Sequence, residues 1–313
     1  MRSAVGTLRL RKPRKLPDKR LGSFLVLPIA IVSLIFLVGP IAFGLAMALK
    51  RIDSRTLNGA WPFNGLSNLA SVLGSPAFVG AFPRTIVLAT GTVVLAVTAG
   101  LLMALLLREK FAGNSLVQVA VLLPWIVAPV TAGLMWRWLF DGNFGLVNVV
   151  GVQLGLLDSK VPWLSLPDVA MGVAIFAESW RSIPLIALLF LARLSNINPA
   201  IYAAAKVDGA NASRRFWNVT LPSLRTILGV AVVIQTINAL QAFDVLFTLT
   251  QGGPSGATTV LNLLVYKRAF QDLNLGQAAV LAIIVAILTG LVLALAAAVG
   301  WFTIRIRSRR AAI

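Results

Sequence analysis

Apolar residues fill six stretches of this chain, roughly 24 to 49, 85 to 107, 116 to 140, 169 to 192, 225 to 250 and 277 to 303. Each meets or exceeds the about 20 residues that carry an α-helix across a bilayer core. None alternates with period two, the pattern of a membrane β-barrel strand. The expected fold class is therefore all-α: a polytopic membrane protein with six transmembrane helices. A further apolar piece, residues 257–270, is too short to cross and predicts an interfacial or re-entrant segment. The loop at 50–83 carries Asn58-Gly59, Pro62, Asn64-Gly65 and Gly74, all turn chemistry, and is too short and polar to be a domain. The loop at 141–167 holds Trp163, which with Trp61 and Trp138 fits an aromatic belt at the membrane interface.

Residues 199–222 are the one polar, helix-capable island between two long apolar segments. Asn198 is a good N-cap and Pro199 suits the first helical position, so a short helix begins there and stops near Gly209. Ser213 caps a second turn or two, which Pro222 ends. The small side chains of Ala203, Ala204 and Ala205 leave one face smooth enough for another protein to approach closely. Periodicity alone allows an ordinary solvated connector equally well.

Composition sharpens the membrane reading. Of 313 residues, 58% are hydrophobic and 12% charged, outside the range of soluble domains. The net charge of +18 invites a nucleic-acid reading, but the cations sit where membrane topology places them. Eight precede the first span (Arg2, Arg9, Arg11, Lys12, Arg14, Lys15, Lys19, Arg20) and four follow the last (Arg305, Arg307, Arg309, Arg310). The positive-inside rule makes both termini cytoplasmic; Arg108, Lys110, Lys206, Arg214, Arg215 and Arg225 agree, while Lys50, Arg51 and Arg55 run against it. The expected partner is thus the lipid bilayer, with no nucleic acid. Ala46-Met47-Ala48 has the look of a signal cleavage site, yet a signal's apolar region runs about 7 to 15 residues and this one continues from Phe24 to Leu49, so the first helix is expected to stay uncleaved. With no Cys and no His, disulfides, thiol chemistry and the commonest zinc and haem sites are excluded, so no metal is expected. No Gly-Lys dipeptide occurs, hence no P-loop. The chain divides into a basic cytoplasmic tail (1–23), a single transmembrane domain (24–304) with the loop at 199–222, and a basic cytoplasmic tail (305–313).

Charged and amide side chains inside the spans carry the candidate chemistry. Glu178 and Arg181 lie three apart on one helical face, close enough to pair, and Asp244 lies in the fifth span. Each costs about 2.5 to 3.5 kcal/mol at mid-membrane even on the mild insertion scale, so each faces a cavity or a partner. A structural ion pair and a substrate path both satisfy this. Pro184 frees a carbonyl one turn earlier and Ser182 can refill it; kinked helices of this sort line transporter cavities. Gln235, Asn238 and Gln241, extended by Asp244, recur every three residues as a polar stripe. Interhelical hydrogen bonds or a cavity would each explain them. Amides for hydroxyls and tryptophan faces for apolar ring surfaces suit a sugar, and Arg181 leaves an anionic solute open.

A family resemblance ties these pieces together. Ala204, Ala205, Gly209, Leu221 and Pro222 match the pattern Glu-Ala-Ala, three residues, Gly, then a run ending in Leu-Pro. Leu123-Pro124-Trp125, Trp136, Phe144-Gly145 and Trp180 come before it. Phe243-Asp244, Leu249-Thr250-Gln251-Gly252-Gly253-Pro254, Tyr266, Ala269-Phe270 and Gly276 come after. Over residues 20 to 305 the chain resembles the permease subunits of carbohydrate ABC importers of the maltose and glycerol-phosphate type. The resemblance implies a type I importer permease in a bacterial or archaeal cytoplasmic membrane, forming the pathway for a carbohydrate or related solute. It implies a non-catalytic subunit that binds no cofactor, ATP and Mg being used by a partner. The implied partners are a second permease subunit in a heterodimer, two ABC ATPase subunits and an extracytoplasmic solute-binding protein. By motif position, Trp125, Thr131, Trp180, Arg181, Ser182, Gln235, Asn238, Gln241 and Asp244 line the pathway. Tyr202, Ala203, Ala204, Ala205, Lys206, Asp208, Gly209, Arg214, Arg215, Phe216, Leu221 and Pro222 form the coupling element for the ATPase. Ala203 stands where the family has its glutamate, so docking leans on shape, the Gly209 turn, Asp208, Lys206, Arg214 and Arg215. Two other classes stay in view. A secondary transporter would use Glu178 and Asp244 to carry H+ or Na+, but six spans without evident inverted repeats are few for that class. A membrane-embedded transferase or hydrolase needs an acid-base cluster, and the loops offer only scattered Asp141, Asp158 and Asp168.

Overall fold

The computed structural model describes residues 19–310 except Asn58, Lys110 and Phe111, with side chains from Val26 to Trp301. The expected basic tails lie largely outside the described residues. The described residues fall into two compact units divided between Ala46 and Met47, inside the last turn of the second helix. In the first, α1 (Lys19–Ser33, with Pro28 inside) passes through a π-helical turn at Leu34–Val38 into α2 (Gly39–Ala48). Val26 through Phe43 are exposed and apolar all round, a surface suited to hydrocarbon.

The second unit begins with a loop closed by α3 (Ser67–Leu73), where the buried Asn68 amide donates to the carbonyls of Ala48 and Lys50, both at 2.8 Å. Next come α4 (Pro76–Arg108), α5 (Asn114–Val121), α6 (Leu123–Ile126), α7 (Pro129–Leu139), α8 (Leu146–Gln153) and α9 (Pro167–Ser195). Then follow α10 (Pro199–Val207), α11 (Ala212–Arg215), α12 (Leu221–Leu240), α13 (Asp244–Leu249), α14 (Leu261–Tyr266) and α15 (Leu275–Arg310).

The spine of the bundle is α4 against α9. Small residues on α4 let the two backbones approach: a Cβ on Gly91 or Gly100 would lie 2.7 Å from Ile175 Cδ1 or 2.8 Å from Ile186 Cγ2. Thr85 and Thr92, buried in α4, satisfy their hydroxyls on the carbonyls of Ala81 and Leu88 one turn back, at 2.8 and 2.7 Å. Leu88, Ala174, Ala177, Val245, Leu246 and Leu263 form one buried cluster; Ile186, Phe190, Leu194 and Leu224 form another toward the α10 end.

Among the described residues five helices are long and apolar enough to cross a membrane: Val26–Ala48, Pro76–Arg108, Pro167–Ser195, Ala212–Leu240 and Leu275–Trp301. The sixth expected span, 116–140, is not one helix. Asn114–Ile126 and Pro129–Leu139 meet at 95°. Val127 and Ala128 are extended, as the residue before a proline prefers, and Pro129 opens the next helix. The fifth span also differs from expectation. Its helix starts earlier, at Ala212, and stops at Leu240 instead of running to 250; Phe243, at φ −143°, turns the chain into α13. The cause is tertiary, because α13 buries Val245, Leu246 and Leu249 against α7. Gly133 allows this, since a Cβ there would overlap Thr248 Oγ1 and sit 2.8 Å from the Val245 carbonyl oxygen. The apolar piece at 257–270 forms α14 and a π-turn at Lys267–Gln271, too short to cross.

Candidate functional site

Two groups of the expected residues occupy different places: one set lies along the middle of the bundle, the other at the end that carries α10. In the middle, the two halves of the broken span bring Trp125 (α6) and Thr131 (α7) to exposed positions beside α9. Trp180 on α9 is half-buried, its ring edge-on to Trp136 at 5.4 Å and 87°. Trp136 also meets Phe176 edge-on at 5.0 Å and Phe140 at 5.8 Å, so an aromatic cluster joins α7 to α9. The sequence marked Trp136 only as part of a motif; its indole N–H is buried here without a partner, as are Arg181 Nε and Gln235 Oε1.

Three expectations for this region need correction. Glu178 and Arg181 do not close an ion pair; among the described residues the salt bridges are Arg51–Asp53 and Arg268–Asp272, both at 2.9 Å in loops or at their edges. Three-residue spacing aligns Cβ atoms on one face but leaves long side chains free to part. Second, α9 continues unbroken through Pro184, and Ser182 Oγ donates to the Glu178 carbonyl at 3.2 Å, not to the carbonyl of Trp180 that the proline frees. Third, the stripe at 235, 238, 241 and 244 does not share one helical face. Gln235 is 1% exposed, inside the bundle, while Asn238, Gln241 and Asp244 are exposed. The helix ends at Leu240, so Gln241 is its cap and Asp244 begins another element.

At the α10 end, local chemistry builds a helix-turn-helix. Asn198 caps α10 by accepting from Ala200 N at 2.9 Å, and Pro199 fills the first position. The helix closes with Gly209 N donating to Lys206 O at 3.1 Å and Ala210 N to Ala205 O at 2.9 Å, the two bonds of a Schellman motif. Gly209 sits at φ +75° with open space where a Cβ would go, so the backbone conformation, not crowding, calls for glycine. The cap of α11 is Asn211, accepting from Arg214 N at 2.8 Å, and not Ser213. Nor does Pro222 end a helix. A π-turn at Phe216–Thr220 shifts the ladder so that Leu221 N donates to Phe216 O; Pro222, which has no N–H, then lies in the first turn of α12.

Ala203, Ala204, Lys206, Asp208 and Arg214 are exposed on this element, with Ile201, Trp217 and the 88%-exposed Val207 adding apolar surface. Ala205, Arg215, Phe216 and Leu221 are half-buried, and Pro222 is exposed. Tyr202 points the other way. Its ring lies under the Arg108 guanidinium at 4.5 Å, its hydroxyl accepts from Arg108 Nη1 at 3.0 Å, and it shares a 2.9 Å hydrogen bond with Thr220 Oγ1.

At the opposite end lies Asn148, which nothing in the sequence pattern singles out. This fully buried amide donates to the carbonyls of Asp141, Gly142 and Val161 and accepts from Val161 N at 3.0 Å and Trp163 Nε1 at 2.9 Å. Five bonds on one side chain organise the 141–163 loop.

Comparison with known proteins places this architecture. Residues 96–307 match the family model described as "Binding-protein-dependent transport system inner membrane component". The chain is 35% identical to the trehalose/maltose transport system permease protein MalF of Thermococcus litoralis, over 84% of this chain and 86% of that protein. Its fold is similar to a chain of a bacterial ABC transporter that imports the acidic polysaccharide alginate, at TM-score 0.77 and 25% identity over 90% of this chain and 96% of the other. It is also similar to a chain of the bacterial alginate ABC transporter in complex with its alginate pentasaccharide-bound periplasmic protein, at TM-score 0.75 and 25% identity over 89% and 93%.

Proposed function

The chain belongs to the family of binding-protein-dependent transport system inner membrane components, and from that premise we propose how its residues form one side of a solute pathway. It is the non-catalytic permease subunit of a binding-protein-dependent ABC sugar importer, a multi-pass inner membrane protein with the type I fold. The observation that carries the pathway reading is the exposure of Asn238, Gln241 and Asp244 at and just beyond the end of the crossing helix Ala212–Leu240. Polar groups left facing hydrocarbon would cost several kcal/mol each. A second permease subunit therefore covers this face, and the solute passes between the two. Trp125, Thr131 and the half-buried Trp180, Arg181 and Ser182 complete this chain's side, with Gln235 behind them.

The solute is a carbohydrate or a derivative: amides serve hydroxyls and indole faces serve ring surfaces. A solute-binding protein delivers it at the Asn148 end. Residues 24–304 act as one permease domain whose 199–222 segment and both termini are cytoplasmic. That segment docks onto one of two ATPase subunits, which use ATP and Mg. The exposed Val207, Ile201, Ala203, Ala204 and Trp217 supply shape, and Lys206, Asp208 and Arg214 supply charge, without the family's glutamate.

Because the chain has no cysteine, Asn238→Cys provides a unique probe in the reconstituted transporter. We expect a thiol reagent to block uptake, and the transported solute, with maltose, trehalose and alginate oligosaccharide tried first, to protect against it. Unchanged uptake after complete modification would remove Asn238 from the pathway.

A further inference from the structure

Tyr202 opens the coupling element, yet its side chain does not join the exposed surface. We propose that Tyr202 is a positioning residue that fastens α10 to the α10-end termini of α4 and α12, so that movement of α10 is transmitted to the two crossing helices as one body. The inference rests on the coupling role given above to residues 199–222 and adds how that element is attached.

The geometry is specific. Arg108 is in the last turn of α4, stacks on the Tyr202 ring at 4.5 Å and donates to its hydroxyl at 3.0 Å. Thr220, buried in the π-turn that leads into α12, meets the same hydroxyl at 2.9 Å. Its Oγ1 also donates to the Arg215 carbonyl at 3.4 Å. One phenol oxygen thus accepts from Arg108 and pairs with Thr220, using both capacities of a hydroxyl. A guanidinium hydrogen bond is about twice as strong as a neutral one, and the ring contact adds a cation–π term from the same residue. Of the other side chains of α10, Ala203, Ala204, Lys206 and Val207 are exposed and Ala205 is half-buried. Without the hydroxyl, α10 would keep its own caps and its Gly209 turn but could pivot on its attachments. The ATPase would then move α10 without moving α4 and α12 in step.

The test uses the complete reconstituted importer, with binding protein and ATPase, and reads solute imported per ATP hydrolysed. Tyr202→Phe keeps the ring and removes only the hydroxyl; Thr220→Val keeps the shape and removes the other hydroxyl. We expect Thr220→Val to lower the ratio about fivefold, the factor one net hydrogen bond represents, and Tyr202→Phe, which also loses the Arg108 bond, to lower it further. We expect the double variant to fall no further than Tyr202→Phe alone, because the Tyr202–Thr220 bond is already lost there, and Thr220→Ser to restore the ratio. A merely structural tyrosine would lower assembly yield or thermal stability and leave the ratio unchanged. An unchanged ratio in Tyr202→Phe, or additive losses in the double variant, would overturn the proposal. Val207→Cys crosslinking to the ATPase is measured in parallel: a crosslink with an unchanged ratio refutes the fastening alone, whereas no crosslink in the otherwise native chain refutes the coupling role itself.

Discussion

Gly133 is the residue through which α13 reaches α7, and replacing it should disturb both the bundle and the pathway. In Gly133→Ala the new methyl would overlap Thr248 Oγ1 and lie 2.8 Å from the Val245 carbonyl oxygen and 3.1 Å from Val245 Cα. Thr248 can rotate away. The Val245 backbone cannot, so α13 must withdraw by about 0.6 Å to restore ordinary van der Waals contact. Over-packing of this kind costs about 1–3 kcal/mol, and Val245, Leu246 and Leu249, all buried behind the contact, would share the shift. Gly172 on α9 is the control: it is exposed with nothing within 4 Å of a Cβ, so Gly172→Ala should gain up to about 1 kcal/mol from helix propensity. We expect thermal unfolding in detergent to separate the two variants by roughly 2–16 °C, at about 2–4 °C per kcal/mol, with lower uptake only for Gly133→Ala, since Asp244 begins the displaced element. Equal midpoints and equal uptake would show that α7 and α13 do not pack backbone to backbone.

Two further outcomes follow from single side chains. Asn148→Leu strands the Val161 N–H and the Trp163 indole, at about 1–3 kcal/mol for each buried donor; faster proteolysis within 141–163 and a lower unfolding temperature should both appear, and native behaviour in both would deny the hub. Gly209→Pro removes the amide that closes α10 on Lys206 O and cannot adopt φ +75°; ATP hydrolysis without uptake, from a normally inserted chain, is the expected result, and normal transport would remove the turn from the coupling mechanism.

The sequence announced those features whose causes are local. Hydropathy located the crossing segments, and Asn198, Pro199 and Gly209 marked the start and turn of α10 because capping and positive φ are properties of a few adjacent residues. Where two local signals competed, the outcome was less legible. Asn211 and Ser213 are both capping residues, two apart, and only the geometry selects Asn211. Pro222 reads as a helix stop until the π-turn before it supplies a ladder that needs no N–H at that position. The end of α12 at Leu240 carries no proline or glycine at all; α13 docking on Gly133, more than a hundred residues upstream, decides it. That break falls between Asn238 and Gln241, so the stripe does not continue along one helix; within α12 Gln235 is buried and Asn238 exposed, and beyond it Gln241 and Asp244 are exposed. Asn148 looks like any loop asparagine until its five partners converge, and Arg108 reads as a topology signal until Tyr202 is found beneath it.

The function proposed for this chain is that of a passive pathway driven by a separate ATPase. The most direct measurement is solute uptake into proteoliposomes containing this chain, its permease partner and the ATPase, supplied with binding protein, with ion gradients collapsed by ionophores. Uptake should depend on ATP, persist without any ion gradient, and vanish when the ATPase is left out. Uptake that needs an H+ or Na+ gradient and proceeds without ATP would contradict it and return Glu178 and Asp244 to the role of ion carriers.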